Sequence, residues 1–136
     1  MSNPKINLPT YAKTIGIEID RWEGDTPVLG IDYTPAICGN PGMFHGGAVS
    51  TLLETAAIAA LDAQLSATHG PANLTPLNST VQFLRAAGEE RAFAKAVVVK
   101  AGRRLANVAA TLWQGSPDKP VATAIVNVAI AAKPTG

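Results

Sequence analysis

The chain has a single cysteine, Cys38, in 136 residues. No disulfide can form within one chain, so the fold must rest on packing alone. Aromatic residues make up only 5% and charged residues only 15%, with a net charge of +1. That balance gives nucleic acid no bulk attraction. His45, His69 and the one cysteine make no zinc-ligand spacing, and neither a metal nor a cofactor is expected. No Gly-rich phosphate loop follows a strand pattern, and neither Ser50 nor Ser79 sits in a nucleophile-elbow sequence. The first residues lack a charged segment followed by an apolar run, so no signal peptide is expected. No apolar run reaches membrane-spanning length, because Asp62 and Gln64 close the longest one. The expectation is a cytoplasmic protein without a membrane or nucleic-acid partner. There is no internal repeat and no low-complexity linker, and the length predicts one domain over residues 1–136.

What the chain does have is apolar bulk, with 47% hydrophobic residues, gathered around the stretch from Phe44 to Leu61. Pro41 and Gly42 punctuate its entry, and Ala and Leu favour helix from Ala48 onward. At about 100° per residue, Val49, Leu52, Leu53, Ala56 and Ala60 form an apolar stripe. Gly47, Ser50, Thr51, Glu54 and Ile58 form the opposite one, which is small and polar with one carboxylate. A helix this apolar on most sides should be central and buried.

Most helix glutamates are simply solvated. Glu54 differs in its setting. No basic residue lies three or four positions away to pair with it, and His45 is the only other residue from Phe44 to Leu61 that can carry charge. Gly46 and Gly47 each weaken the helix start by roughly 1 kcal/mol relative to Ala. Bare backbone N–H groups at that end suit an anion or a polarised carbonyl oxygen, and glycine lets a ligand approach them closely.

Charges are unevenly spread. Five of the ten acids fall between Glu18 and Asp32, and six of the eleven basic residues between Arg85 and Arg104. Ahead of the helix, a short helical turn is expected over Thr10–Lys13. Ile15, Ile17 and Ile19 alternate with polar or small residues as a half-buried strand. Gly24-Asp25-Thr26-Pro27 turns into a second strand, Val28–Tyr33. The helix should end near Leu65, followed by a loop to Thr75. Further strands are expected at Leu77–Phe83, Arg91–Lys100, Arg104–Trp113 and Val121–Ala131, joined as a meander. Two strands, one long helix and four strands predict an α+β fold, an antiparallel sheet wrapped around the helix. Ala and Val on both strand faces predict that another subunit covers the outer face.

The order of elements and the Asn40…His45-Gly46-Gly47…Glu54 pattern resemble the hotdog-fold acyl-CoA thioesterases. The likeness covers residues 14–131 and is strongest to the phenylacetate-pathway (PaaI-type) and 4-hydroxybenzoyl-CoA thioesterase groups. The resemblance implies that the Gly47 backbone N–H polarises the thioester carbonyl and that Glu54 is the nucleophile or the general base for water. It implies that His45 orients the site and that Asn40 helps hold water or substrate. Asn40 lies five residues before His45, where many relatives have six. A hydroxyl often assists the carboxylate from the strand after the helix. Thr75 is the nearest candidate, although Pro76 aligns at that place, and Ala86 stands where relatives carry a proline. Thr51, from the polar stripe, joins Thr75 as a candidate substrate contact. Arg85, Lys100, Arg103 and Arg104 are candidates for gripping the CoA phosphates, because Arg binds phosphate in bidentate fashion. The substrate implied is an aryl- or medium-chain acyl-CoA, and the assembly a homodimer or homotetramer.

Helix spacing bears on that assembly. Gly47 and Glu54 are seven residues apart, roughly 10 Å along the axis on nearly one face. One acyl carbon cannot lie about 3 Å from both, which predicts a site shared between two chains. Two other functions fit the same sequence: a hotdog enoyl-CoA hydratase or hydroxyacyl dehydratase, and a dimer that binds acyl-CoA without turning it over. Loss of enoyl-CoA absorbance marks the first, and binding without turnover the second.

Overall fold

The computed structural model describes residues 3–133. A short helix α1 (Thr10–Thr14) precedes the hairpin of β1 (Glu18–Glu23) and β2 (Thr26–Ile31). A 3-10 turn at Pro35–Ile37 leads to the long helix α2 (Gly46–Thr68). β3 (Ala72–Phe83), β4 (Ala92–Ala101), β5 (Leu105–Trp113) and β6 (Ala122–Ala132) complete the chain. All six strands join one antiparallel sheet in the order β1-β2-β4-β5-β6-β3.

The sheet wraps α2 as the apolar pattern requires. Leu52, Leu53, Leu61, Ala56 and Ala57 are fully buried, facing Leu29, Leu112, Val108, Val126 and Val128 across the core. Each fully buried Leu contributes about 1.5–3 kcal/mol. The alanines between them let the strands approach the helix closely. The stripe of Ser50, Thr51, Glu54 and Ile58 is only half-buried, and Gly46 and Gly47 are exposed.

Several expectations need correction. The four later strands are not a simple meander: β3 crosses to the far edge and pairs with β6, not β4. β3 also starts five residues earlier than its alternation suggested. Pro76 hid that start, yet an edge strand tolerates a residue without an N–H. The first strand starts at Glu18, because Ile15 caps α1. The helix runs past Asp62 and Gln64 to Thr68, so its 23 residues, with an 18-residue window at a mean hydropathy of 1.2, do have the length and composition of a membrane span. Its apolar sides are instead covered by the sheet.

The acidic stretch meets its partners inside the chain. Arg91 binds Glu18, Asp20 and Asp32 at 2.8, 3.2 and 2.9 Å, and Lys95 binds Glu23 at 3.0 Å. The Arg91 guanidinium lies over the Phe93 ring, 5.7 Å from its centre, and against Gly30, where any Cβ would collide with it. Burial alone would lower the Arg91 pKa, but its bonds to Asp32, Glu18 and Asp20 leave it raised. Two of the six clustered basic residues are thus consumed. Arg85, Lys100, Arg103 and Arg104 make no ion pair among the described residues. On the outer sheet face, Val97, Val99, Leu105 and Ile125 stay exposed.

Candidate active site

The entry to α2 is held by a small loop. Cys38 and Phe44 form a β-bridge, the Gly39 N–H donates to the Met43 carbonyl at 2.9 Å, and the Phe44 N–H donates to the Ala87 carbonyl at 2.9 Å. Gly39 is needed because a Cβ there would lie 3.1 Å from the His45 Cα. Asn40 sits exposed at the loop tip, its side chain unbonded among the described residues. No hydrogen bond joins it to His45.

His45 is the N-cap of α2, with extended backbone at φ −63° and ψ 137°. Its ring nitrogen Nδ1 accepts the Gly47 N–H at 2.9 Å, so the neutral ring carries its proton on Nε2. A Cβ on Gly47 would lie 3.0 Å from that Nδ1, so any larger residue at 47 crowds the capping ring. The Ala48 and Val49 N–H groups donate to the His45 carbonyl at 2.9 and 3.2 Å. Of the donors a helix start leaves open, the Gly46 N–H alone has no acceptor among the described residues. The family resemblance implied the Gly47 N–H as the oxyanion donor. The geometry gives that N–H to His45 and leaves Gly46 facing solvent.

Glu54 lies two turns further along the half-buried stripe. The Ser79 hydroxyl on β3 donates to its Oε2 at 3.2 Å. Ser79 was not among the expected site residues, and Thr75 was. The cause is a β-bulge at Leu77, where β3 pairing shifts from Pro76↔Val128 to Asn78↔Asn127. Cross-strand partners share a face, so Ser79, Val81 and Phe83 join Val126, Ala124 and Ala122 on the helix side. Thr75 pairs with Ala129, between inward-facing Val128 and Ile130, which places it on the outer face. Without the extra residue, Thr75 and Ser79 would share one face. The Thr51 hydroxyl donates to the Gly47 carbonyl at 2.7 Å, one turn before Glu54.

Beside the helix N-terminus is a cavity of about 280 Å³ whose walls include Phe44, Gly46, Val49, Phe83 and Arg85. The Phe83 ring lies 3.6 Å from where a Gly46 Cβ would stand. Arg85 therefore belongs to this end of the sheet. Lys100, Arg103 and Arg104 share the walls of another cavity, at the β4–β5 turn. That turn lies at the opposite end, because Leu105 pairs with Ala129 and Ala129 with Thr75, early in β3. The four free cations thus form two groups in one chain. Among the described residues no cluster of His, Cys, Asp and Glu is arranged to hold a metal.

Residues 34–129 match the family of acyl-CoA thioesterase N-terminal domains. Comparison with curated protein sequences gives no match. Among solved structures, a thioesterase family protein from Silicibacter pomeroyi is similar at 28% identity, over 92% of this chain and 91% of that one, with a TM-score of 0.78. A phenylacetic acid degradation-related protein from Ralstonia eutropha is similar at 26% identity, over 91% and 92%, with a TM-score of 0.73. The phenylacetic acid degradation protein PaaI of Thermus thermophilus, at 21% identity over 89% and 98% and a TM-score of 0.73, shares the fold. The half-open helix stripe with its supported carboxylate and the match over most of the chain agree: this chain belongs to the acyl-CoA thioesterase family.

Proposed function

We propose that this protein hydrolyses an aryl- or medium-chain acyl-CoA thioester to the free acid and CoA, with Glu54 as its reacting carboxylate. The observation that carries this reading is the Ser79–Glu54 hydrogen bond on the half-buried stripe of the central helix. A carboxylate kept there without a cation, and held in one orientation by a hydroxyl, is placed for chemistry rather than for an ion pair. A thioester needs little else. Its carbonyl carbon is electrophilic and its thiolate leaves readily, so donors where the oxyanion forms and one carboxylate at the carbon suffice.

Two routes balance. Glu54 takes a proton from water as the water oxygen bonds to the carbonyl carbon; the C–S bond then breaks and the thiolate leaves. Alternatively the Glu54 oxygen itself adds to the carbon, expels the thiolate, and the resulting anhydride is hydrolysed. Both consume one water and release one acid and one thiol. The oxyanion is held by the start of α2, with the Gly46 N–H as its donor. The Gly47 N–H serves only if His45 turns away, since it now caps that ring. His45 orients this end of the helix, and Thr51 lies between the two groups. Asn40, from the loop tip, is assigned to water or substrate on the resemblance alone.

Gly46 and Glu54 are too far apart on one helix to share a carbonyl, so the helix start of one subunit works with Glu54 of the partner subunit. The assembly is a homodimer joined at the open β3 edge, or a homotetramer that also covers the apolar outer face. Arg85, Lys100, Arg103 and Arg104 hold the CoA phosphates, and the cytoplasm is the compartment.

The test is incubation with a panel of phenylacetyl-, benzoyl- and medium-chain acyl-CoA thioesters beside a free-thiol reagent. Release of CoA by the wild type, absent in Glu54→Gln, is the expected result. No thiol release from any member, with the protein folded, would refute the proposal.

A further inference from the structure

Gln114 stands directly after β5 and is half-buried. Its amide grips the loop between β3 and β4 at three points. The Oε1 accepts the Gly88 N–H at 3.0 Å. The Nε2 donates to the Gly88 carbonyl at 2.9 Å and to the Glu90 carbonyl at 3.0 Å. Both amide hydrogens and one oxygen lone pair are thereby used. The Gly88 N–H belongs to the same peptide unit as the Ala87 carbonyl. That unit is trans and planar, with its C=O and N–H pointing opposite ways, so fixing the one aims the other. The Ala87 carbonyl accepts the Phe44 N–H at 2.9 Å. Phe44 immediately precedes the His45 cap, and the His45 N–H in turn donates to the Ile37 carbonyl at 2.7 Å. Two carbonyls thus hold the entry to α2, and Gln114 orients one of them. The loop it grips is also a wall of the candidate site, since Arg85, Ala86 and Ala87 line the cavity beside Gly46. Gln114 itself stands behind that wall and does not line the cavity.

We propose that Gln114 is a positioning residue for the oxyanion end of the site, acting through the Ala87–Gly88 peptide on Phe44 and so on the direction of the Gly46 N–H. This rests on the thioesterase reading for its effect on turnover, though not for the coupling of Gln114 to Phe44. The link is short. One side-chain bond, one rigid peptide and one backbone bond separate Gln114 from the residue before the cap. Hydrogen bonds in such a chain polarise and strengthen one another. A donor aimed at developing charge works only when it is held in place beforehand, and the glycines that open α2 are too free in backbone angle to hold themselves. Loss of the clamp lets the Ala87–Gly88 peptide rotate, and the helix start then loses one of its two fixed references.

Gln114→Met in the full chain tests this, because it keeps the length of the side chain and removes all three bonds. Two readouts are taken below the thermal midpoint of the variant. By amide hydrogen exchange, the Phe44 N–H should exchange at least about fivefold faster than in wild type, as expected for a weakened backbone bond, while the amides of β5 keep their protection. With acyl-CoA thioesters, kcat should fall at least about tenfold, a part of the roughly 10²–10³ lost when an oxyanion donor is removed outright, and KM should stay near wild type. If Gln114→Met does not fold, Gln114→Asn, which keeps the amide and shortens its reach by one methylene, carries the same two expectations. Unchanged exchange at Phe44, an unchanged kcat, or a change confined to KM overturns the proposal. A wild type inactive on every thioester, with Phe44 exchange still raised in the variant, would refute the thioesterase reading and leave the coupling standing.

Discussion

Glu54 is a carboxylate whose nearest support is a hydroxyl rather than a cation. Replacing it with Gln or Ala should remove nearly all turnover while the thermal midpoint stays close to wild type, since neither substitution leaves a buried charge unpaired and Ala favours helix. Full activity in either variant would contradict its role. In the proposed mechanism Ser79 acts through Glu54, as a positioning residue. Hydrogen bonds to charged groups contribute about 1.5–3 kcal/mol, so Ser79→Ala should lower kcat by roughly 10- to 100-fold, with KM nearly unchanged, and Ser79→Thr should restore part of it. A change confined to KM would instead place Ser79 in substrate binding. Glu54 was legible in the sequence because it stands alone on a small polar stripe without an ion-pair partner. Ser79 was not, because its partner lies 25 residues away and one bulged residue decides which β3 hydroxyl faces the helix. The same bulge turned Thr75 outward.

At the scale of elements, the start of α2 separates two glycines that look alike in sequence. Gly46→Pro removes the free donor at a position where proline suits a helix, after a residue already extended as proline requires. It should fold with a midpoint near wild type and lose about 10²–10³ in kcat, the cost of one oxyanion donor. Gly47→Pro follows a helical residue and crowds the His45 ring, so it should lose stability as well; calorimetry beside kinetics tells the two apart. The strands carry a second prediction. A hydrogen bond from Lys95, then one from Arg21, holds the Glu23 carboxyl below its usual pKa. The associated stability is present above the ordinary carboxylate range and is lost as pH falls through the lowered value. Thermal midpoints of Lys95→Met and wild type should therefore differ most at neutral pH and converge in acid; a gap that persists in acid would show that the pair does not carry it. The sequence showed the acids and bases as separate clusters, and only the pairing of β1 with β2 and of β2 with β4 brings them together.

For the whole molecule, most strands and the wrapped helix were readable from alternation and from the 3.6-residue stripe. The crossing of β3 to the far edge was not, because alternation marks which residues form a strand but not which strand lies beside it. That crossing leaves the open edge beside Glu54 on which a shared site depends. It also puts Arg85 and the Lys100–Arg104 turn at opposite ends of one chain. Replacing all four cations with Gln should raise KM for CoA thioesters at least about tenfold, given roughly 1.5–3 kcal/mol for a charge-assisted contact, with kcat little changed. An unchanged KM would remove these residues from CoA binding.

The most direct measurement mixes two inactive variants, Glu54→Ala and Gly46→Pro, each shown to be folded. In a mixed dimer with shared sites, one site carries both defects and the other carries neither. Random exchange makes about half of the dimers mixed, each with one intact site, so thioester hydrolysis should recover to about a quarter of wild type. No recovery, with mixed dimers shown to form, would mean that each chain builds its site alone.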